Sequence, residues 1–225
     1  PTHRATEAAA LPNGHVLYIE DPKGLVTEID ETQKVVWQYK TANASLVSAQ
    51  RLPNGNTLLV DDVATKVFEV SPAGEVVWSV AKPEYKGQAM RRARRTAQGT
   101  TIVAVQKAGL LLELDATGAV KNKWEFPNRM PAHALPAPDG GMWIGLAGPG
   151  EVRRVDAAGK VTTVFAGKND AARMAWTSGF APLPNGGLIV SDYMANRIVE
   201  FDAKGNIVHQ IKNLPWAVTS VGVLR

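Results

Sequence analysis

The chain of 225 residues contains no cysteine. Disulfides, thiolate metal sites and cysteine nucleophiles are therefore excluded, although the redox compartment stays open. No apolar run approaches the roughly 18 residues that a membrane-spanning helix needs. Histidine is scarce: the four present, His3, His15, His133 and His209, show no metal-ligand spacing. Neither sign of charge dominates, with 25 Lys and Arg against 21 Asp and Glu and a net charge of +4. The one dense basic run, Met90-Arg91-Arg92-Ala93-Arg94-Arg95, falls where a strand is expected, so its side chains alternate between two faces. That is not the contiguous stripe that nucleic acid requires, and no nucleic-acid partner is expected. No signal peptide precedes Pro1, and the missing initiator Met reads as processing or trimming. Helical periodicity, linkers and low-complexity tracts are absent too.

What the sequence does have is a repeat. Residues 52–78 read LPNGNTLLVDDVATKVFEVSPAGEVVW. Leu52-Pro53-Asn54-Gly55 is a turn: Pro53 presets φ, Asn54 tolerates the bridge region and Gly55 accepts φ > 0. Thr57-Leu58-Leu59-Val60 follows as a strand. Lys66-Val67-Phe68-Glu69-Val70 alternates polar and apolar, the period of a half-buried strand. Ser71-Pro72-Ala73-Gly74 is a second turn and Glu75-Val76-Val77-Trp78 a further strand. With residues 45–50 in front, the unit is a four-stranded antiparallel meander.

The first turn recurs at Leu11, Leu52, Thr96, Ala137 and Leu183, at spacings of 41, 44, 41 and 46 residues. The second recurs in step at Asp30, Ser71, Asp115, Asp156 and Asp202. Four strands per roughly 40–50 residues is the period of propeller blades. The expected fold is an all-β β-propeller, a single domain with blades over approximately 1–40, 41–81, 82–126, 127–166 and 167–212 and a closing strand over 213–225. The tail WAVTSVGVL, 216–224, fits a first strand again, and so does the head, 3–11. One monomeric ring of five blades is preferred. A six-bladed ring with an incomplete blade and an element shared between two chains are the alternatives.

Ser191-Asp192-Tyr193-Met194-Ala195-Asn196-Arg197-Ile198-Val199-Glu200-Phe201-Asp202 resembles the NHL-type repeat. Gly74 followed by Trp78, and Asp115-Ala116-Thr117-Gly118 followed by Trp124, are similar to the PQQ-like (quinoprotein) repeat. The Leu-Pro-Asn-Gly units resemble those of arylsulfotransferase-like and PQQ-like propellers of exported bacterial proteins. The resemblance spans nearly the whole chain and implies architecture and a periplasmic or extracellular bacterial location; the repeats themselves are structural. Quinoprotein dehydrogenases have eight blades, usually a vicinal cysteine pair and a calcium-bound quinone, which five units without cysteine do not match. Arylsulfotransferases use a histidine nucleophile that no motif singles out here. Peptide-amidating lyases need more zinc-ligating histidines than this chain supplies. No cofactor and no metal are expected.

Aligned on the first turn, the position four residues before it reads Glu7, Ser48, Arg92, His133 and Gly179. Two residues later the series is Ala9, Gln50, Arg94, Leu135 and Ala181, and between the two it is Ala8, Ala49, Ala93, Ala134 and Phe180. The small intervening residues predict a packed face and the flanking ones a polar face. Glu7, Ser48, Gln50, Arg92, Arg94 and His133 are thus candidates to line a channel, with Glu7 paired to Arg92, or Arg92 to an anion. Two Arg and a His favour carboxylate, phosphate or sulfate. A structural polar network around water stands ahead of this reading, since clustered charges mark sites only statistically. His15 and His209 are expected to be exposed. Asp61, Asp62 and Asp192 sit in loops where relatives sometimes bind cations, but loop capping explains them more economically. Trp37 and Trp78 match in position and read as blade-to-blade packing. Trp176 follows the longest connection between blades, 166–175, and is the tryptophan best placed to meet a ligand. The resulting expectation is a non-catalytic binding or interaction scaffold, with a small anionic molecule or a protein as partner and no membrane association. The alternative is a small lyase, hydrolase or transferase using His133 with Arg92 and Arg94.

Overall fold

The computed structural model describes residues 4–21, 24–42, 44–166 and 173–222. Twenty strands form five four-stranded antiparallel sheets, each a meander in chain order. The first blade holds Arg4–Ala10 (β1), Val16–Asp21 (β2), Leu25–Ile29 (β3) and Val35–Lys40 (β4). The second holds Leu46–Arg51 (β5), Thr57–Asp61 (β6), Lys66–Val70 (β7) and Val76–Ala81 (β8). The third holds Met90–Arg95 (β9), Thr101–Val105 (β10), Leu110–Leu114 (β11) and Val120–Glu125 (β12). The fourth holds Pro131–Pro136 (β13), Met142–Leu146 (β14), Glu151–Val155 (β15) and Val161–Phe165 (β16). The fifth holds Thr177–Pro182 (β17), Leu188–Asp192 (β18), Arg197–Phe201 (β19) and Ile207–Ile211 (β20). The fold is a five-bladed β-propeller. Blades one to three belong to one compact unit, up to Glu125, and blades four and five to a second that starts at Phe126. A 3-10 turn, Pro83–Tyr85, is the one helical element among the described residues, and none is long and apolar enough to cross a membrane.

The turns behave as their residues predict. Gly14, Gly55, Gly99, Gly140 and Gly186 all have φ between 80° and 86°, in the left-handed region that side chains avoid. In the first blade, Gln33 takes the glycine position of the second turn at φ 65°. Asp30, Asp115, Asp156 and Asp202 accept backbone N–H groups two and four residues on.

The core lies between blades. Leu58, Val60 and Val67 of the second blade pack with Met90, Val103, Val105 and Leu112 of the third. Leu59, Phe68 and Val70, on the opposite face of the same two strands, pack with Leu17, Ile19 and Val26 of the first. Successive residues therefore serve different seams, and every residue of β6 is buried. In the second unit Val152 and Phe165 pack with Phe180, Val190, Val199 and Phe201.

Trp37 and Trp78 clasp the seams of the first unit. The Trp37 indole N–H donates to the Pro72 carbonyl at 3.0 Å and the Trp78 indole to that of Ala116 at 2.8 Å, each the second turn of the next blade. Arg51 lies over Trp37 and Arg95 over Trp78, with 4.5 and 4.9 Å to the ring centroids. The same arginines pair with Glu28 and Glu69, the residues directly opposite each tryptophan on the neighbouring strand. Glu28 also accepts from His15, which makes His15 half-buried and paired, not exposed as its position beside a turn suggests. His209 is exposed as expected; His3 lies outside the described residues.

The tail departs from expectation. Residues 212–222 hold no strand. Pro215 lacks the N–H that a ladder needs, and the segment passes so close to β17 that a Cβ on Gly179 would lie 2.9 Å from the Ser220 Cα. Among the bonds that hold it are one from Leu214 N–H to the Asn196 carbonyl at 3.0 Å and one from the Ser178 hydroxyl to the Val218 carbonyl at 2.7 Å.

Two glycines at the same turn position separate backbone strain from packing. Gly74 and Gly118 both have φ 86°, but a Cβ on Gly74 meets nothing within 4 Å, whereas one on Gly118 would lie 2.1 Å from Val80 Cγ2 across the seam. Gly74→Ala should cost about 1–2 kcal/mol of stability. Gly118→Ala should cost about 1–3 kcal/mol more from overpacking. Urea unfolding of the two variants checks the order; equal losses would mean that the seam yields freely.

Candidate functional site

The polar side chains of the first strands converge in the first unit. A first strand is hydrogen-bonded to a partner on one edge only, so the amides of its other edge need acceptors. Glu7 on β1 supplies one: its Oε2 accepts the Ala49 N–H of β5 at 2.8 Å. The Ser48 hydroxyl on β5 accepts the Ala93 N–H of β9 at 3.4 Å, and Gln50 Oε1 accepts the Arg95 N–H at 2.8 Å. The first and second blades thus each satisfy part of the next blade's free edge with their own side chains.

The remaining Glu7 oxygen receives charge. Arg94 donates to Glu7 Oε1 at 2.5 Å and to the Ser48 hydroxyl at 3.0 Å, and the Arg92 guanidinium lies 3.6 Å from the same Glu7 oxygen. Glu7 is only 3% exposed. Burial pushes its carboxyl up, but Arg94 and Arg92, the Arg94 hydrogen bond and the Ala49 amide outweigh that and hold it below its ordinary value. Burial likewise lowers Arg92, against the attraction of Glu7. The expected Glu7–Arg92 pair is present, and Arg94 is the tighter partner. The other two arginines of the basic run are also engaged inside the protein, Arg91 by Gln106 and Arg95 by Glu69 and Trp78.

Both faces of the first strands are largely buried. Ala49, Ala93, Ala134 and Phe180 are buried as predicted, but so are Glu7, Ser48, His133 and Gly179, while Ala8 is exposed. His133 on β13 is 4% exposed, with its ring 4.8 Å from that of Phe180. Trp176 is half-buried, its indole lying where a Cβ on Gly148 would be 3.2 Å away, and it precedes β17 instead of opening it. Of the connection 166–175, residues 167–172 lie outside the described ones.

The loop aspartates cap backbone. Asp61 accepts the N–H groups of Ser45, Val63 and Ala64 at 3.1–3.2 Å. Asp192, fully buried, accepts those of Ala175 and Trp176 and the Arg197 guanidinium at 3.0–3.1 Å. Among the described residues no group of three or more His, Asp and Glu is arranged to hold a metal. Sequence reasoning missed the Trp–Arg–Glu clasps and the amide acceptors. The signal for the clasps was there: Glu28 and Glu69, Arg51 and Arg95, and Trp37 and Trp78 recur in phase.

Glu7→Gln keeps the side-chain shape but leaves two sheltered guanidinium groups without their carboxylate. Loss of one partner of a buried pair costs about 3–5 kcal/mol. Because the folded Glu7 lies below 4.5, its stabilisation is complete at neutral pH and is lost as pH falls from 4.5 toward the folded value. Urea unfolding of wild type and Glu7→Gln across the acid range should give curves that converge as pH falls. Parallel curves would remove Glu7 from the acid response.

Comparison with known proteins now bears on this arrangement. No curated protein sequence matches the chain. Among solved structures, a protein of unknown function from Bacteroides caccae is similar with a TM-score of 0.78 and 16% identity, over 99% of this chain and 87% of that one. Virginiamycin B lyase from Staphylococcus aureus gives 0.72 and 14%, over 95% and 71%. A streptogramin B lyase gives 0.76 and 11%, over 99% and 74%. At such identities these likenesses show the fold alone. A family profile of PQQ-like repeats, described as outer membrane protein assembly factor BamB, matches residues 3–125. That stretch holds the three blades tied by Glu7 and is more than half of the sequence, and on it the chain belongs to the BamB family of PQQ-like propellers.

Proposed function

We propose that the protein is a non-catalytic propeller scaffold that binds protein partners in the bacterial periplasm, in the manner its family's description implies for assembly at the outer membrane. The observation that carries this reading is the internal use of Glu7, Ser48, Arg92 and Arg94. Each of these groups reaches another part of the protein, and the carboxylate that would have to leave for an anion to bind both arginines also holds the Ala49 amide. An incoming anion must displace a ligand already in place, which weakens binding by mass action. A general base must reach its substrate proton. His133 is almost wholly covered, with its ring tilted against that of Phe180, which speaks against its use as a general base by a lyase, hydrolase or transferase. A binding scaffold also fits the distribution of apolar exposure, because the fourth strands and the loops between second and third strands carry exposed Val, Tyr and Met side chains.

Two measurements test the proposal. In a thermal-shift titration, phosphate, sulfate and acetate should move the melting temperature of wild type no more than that of Arg92→Ala. A rise confined to wild type would make the cluster an anion site and reopen the enzymatic reading. In chemical cross-linking on intact cells, the protein should be joined to outer-membrane assembly components. Recovery without any such component would overturn the scaffold role.

A further inference from the structure

One end of the fifth blade carries the largest exposed apolar side chains among the described residues. The start of β17, the loop from β18 to β19 and the exit from β20 all lie at this end, because the sheet is a simple meander. The Tyr193 N–H donates to the Trp176 carbonyl at 2.9 Å, and the Leu214 N–H to the Asn196 carbonyl at 3.0 Å, so three separate segments are tied together there. On them stand Trp216, 68% exposed, Met194, 67%, and Tyr193, 38%, with Trp176 and Leu214 half-buried beside them. Exposed Ile211, the last residue of β20, lies at the same end; elsewhere the exposed large apolar residues are valines, nearly all of them on outer strands. Large aromatic and Met side chains held by backbone bonds on a rigid blade are the composition of a protein-binding hot spot, not of ordinary surface.

Among the described residues the charge around the patch is one-sided. Arg173 and Lys212, the residues that enter and leave it, are exposed. The carboxylate of the same loop, Asp192, is buried and held by Arg197 and by two backbone amides. In the adjoining loop of the fourth blade, Glu151 is held by Arg129 and Arg153. What the surface presents is aromatic and aliphatic, flanked by positive charge.

We infer that this end of the fifth blade is a docking site for an extended protein segment that alternates apolar and acidic side chains. The inference rests on the scaffold reading and gives it a surface and a partner chemistry. An anionic membrane shares the attraction to aromatic and basic groups, but polybasic membrane sites gather about 4–8 Lys or Arg. Among the described residues the patch has two exposed basic side chains, which suits a short acidic segment better.

The probe is a fluorescein-labelled twelve-residue peptide alternating Leu or Phe with Glu, titrated by anisotropy against the full chain. Saturable binding is expected, weakened about tenfold or more in Met194→Ser/Trp216→Ser, as for loss of a hot spot. Both side chains point to solvent, so an unchanged melting temperature establishes that the variant is folded. The same peptide with Lys for Glu should bind at least about tenfold more weakly, since like charge opposes docking. Absence of saturable binding, equal binding by the variant, or equal binding of the Lys peptide would each overturn the inference. So would phosphatidylglycerol vesicles binding wild type when the peptide does not. If the peptide fails while cross-linking still recovers outer-membrane assembly components, the scaffold role stands and only this surface falls.

Discussion

The free edge of the first strand is the constraint on which the first unit depends. β1, β5 and β9 each pair with a second strand on one side, and the amides of the other side still require acceptors. Glu7, Ser48 and Gln50 provide them from the preceding blade, so a backbone requirement becomes an interaction between blades. Glu7 meets two requirements at once, since it accepts the Ala49 amide with one oxygen and neutralises Arg94 and Arg92 with the other. One carboxylate thereby joins three blades that are distant in sequence.

Around this polar tie the apolar seams follow from the period of the strand. Because Leu58 and Leu59 point to opposite faces, one strand feeds two cores, and a blade cannot be removed without exposing both. Each such side chain contributes about 1.5–3 kcal/mol on full burial. The outer strands need only one buried face, and there the clasp of Trp37 on Pro72 and Trp78 on Ala116 replaces wide apolar contact by one indole hydrogen bond and a guanidinium stacked on the ring. The arginine finds its carboxylate on the strand opposite the tryptophan, so the whole clasp repeats with the blade.

Several charged groups are held by partners inside the protein. Arg92 and Arg94 answer Glu7, Asp192 answers Arg197 and two amides, and the Asp61 carboxylate closes its own loop. The large apolar side chains that remain exposed among the described residues stand on loops, outer strands and the tail.

The sequence by itself determined the blades. Turn chemistry is local, so the Leu-Pro-Asn-Gly-type and Asp-x-x-Gly-type turns marked the first and third hairpins of each blade, and their phase fixed four strands per repeat and five repeats. It also placed Glu7 near Arg92, because equivalent positions of equivalent strands share a face. Only the tertiary structure decided what those positions face. Arg94 is the tighter partner of Glu7, His133 meets Phe180 rather than solvent, and His15 finds Glu28, since each depends on side chains from other strands or other blades. The tail 216–224 has the composition of a strand, yet 216–222 lie as irregular chain over Gly179. Composition sets the propensity of a segment, whereas a strand also needs a partner edge in register.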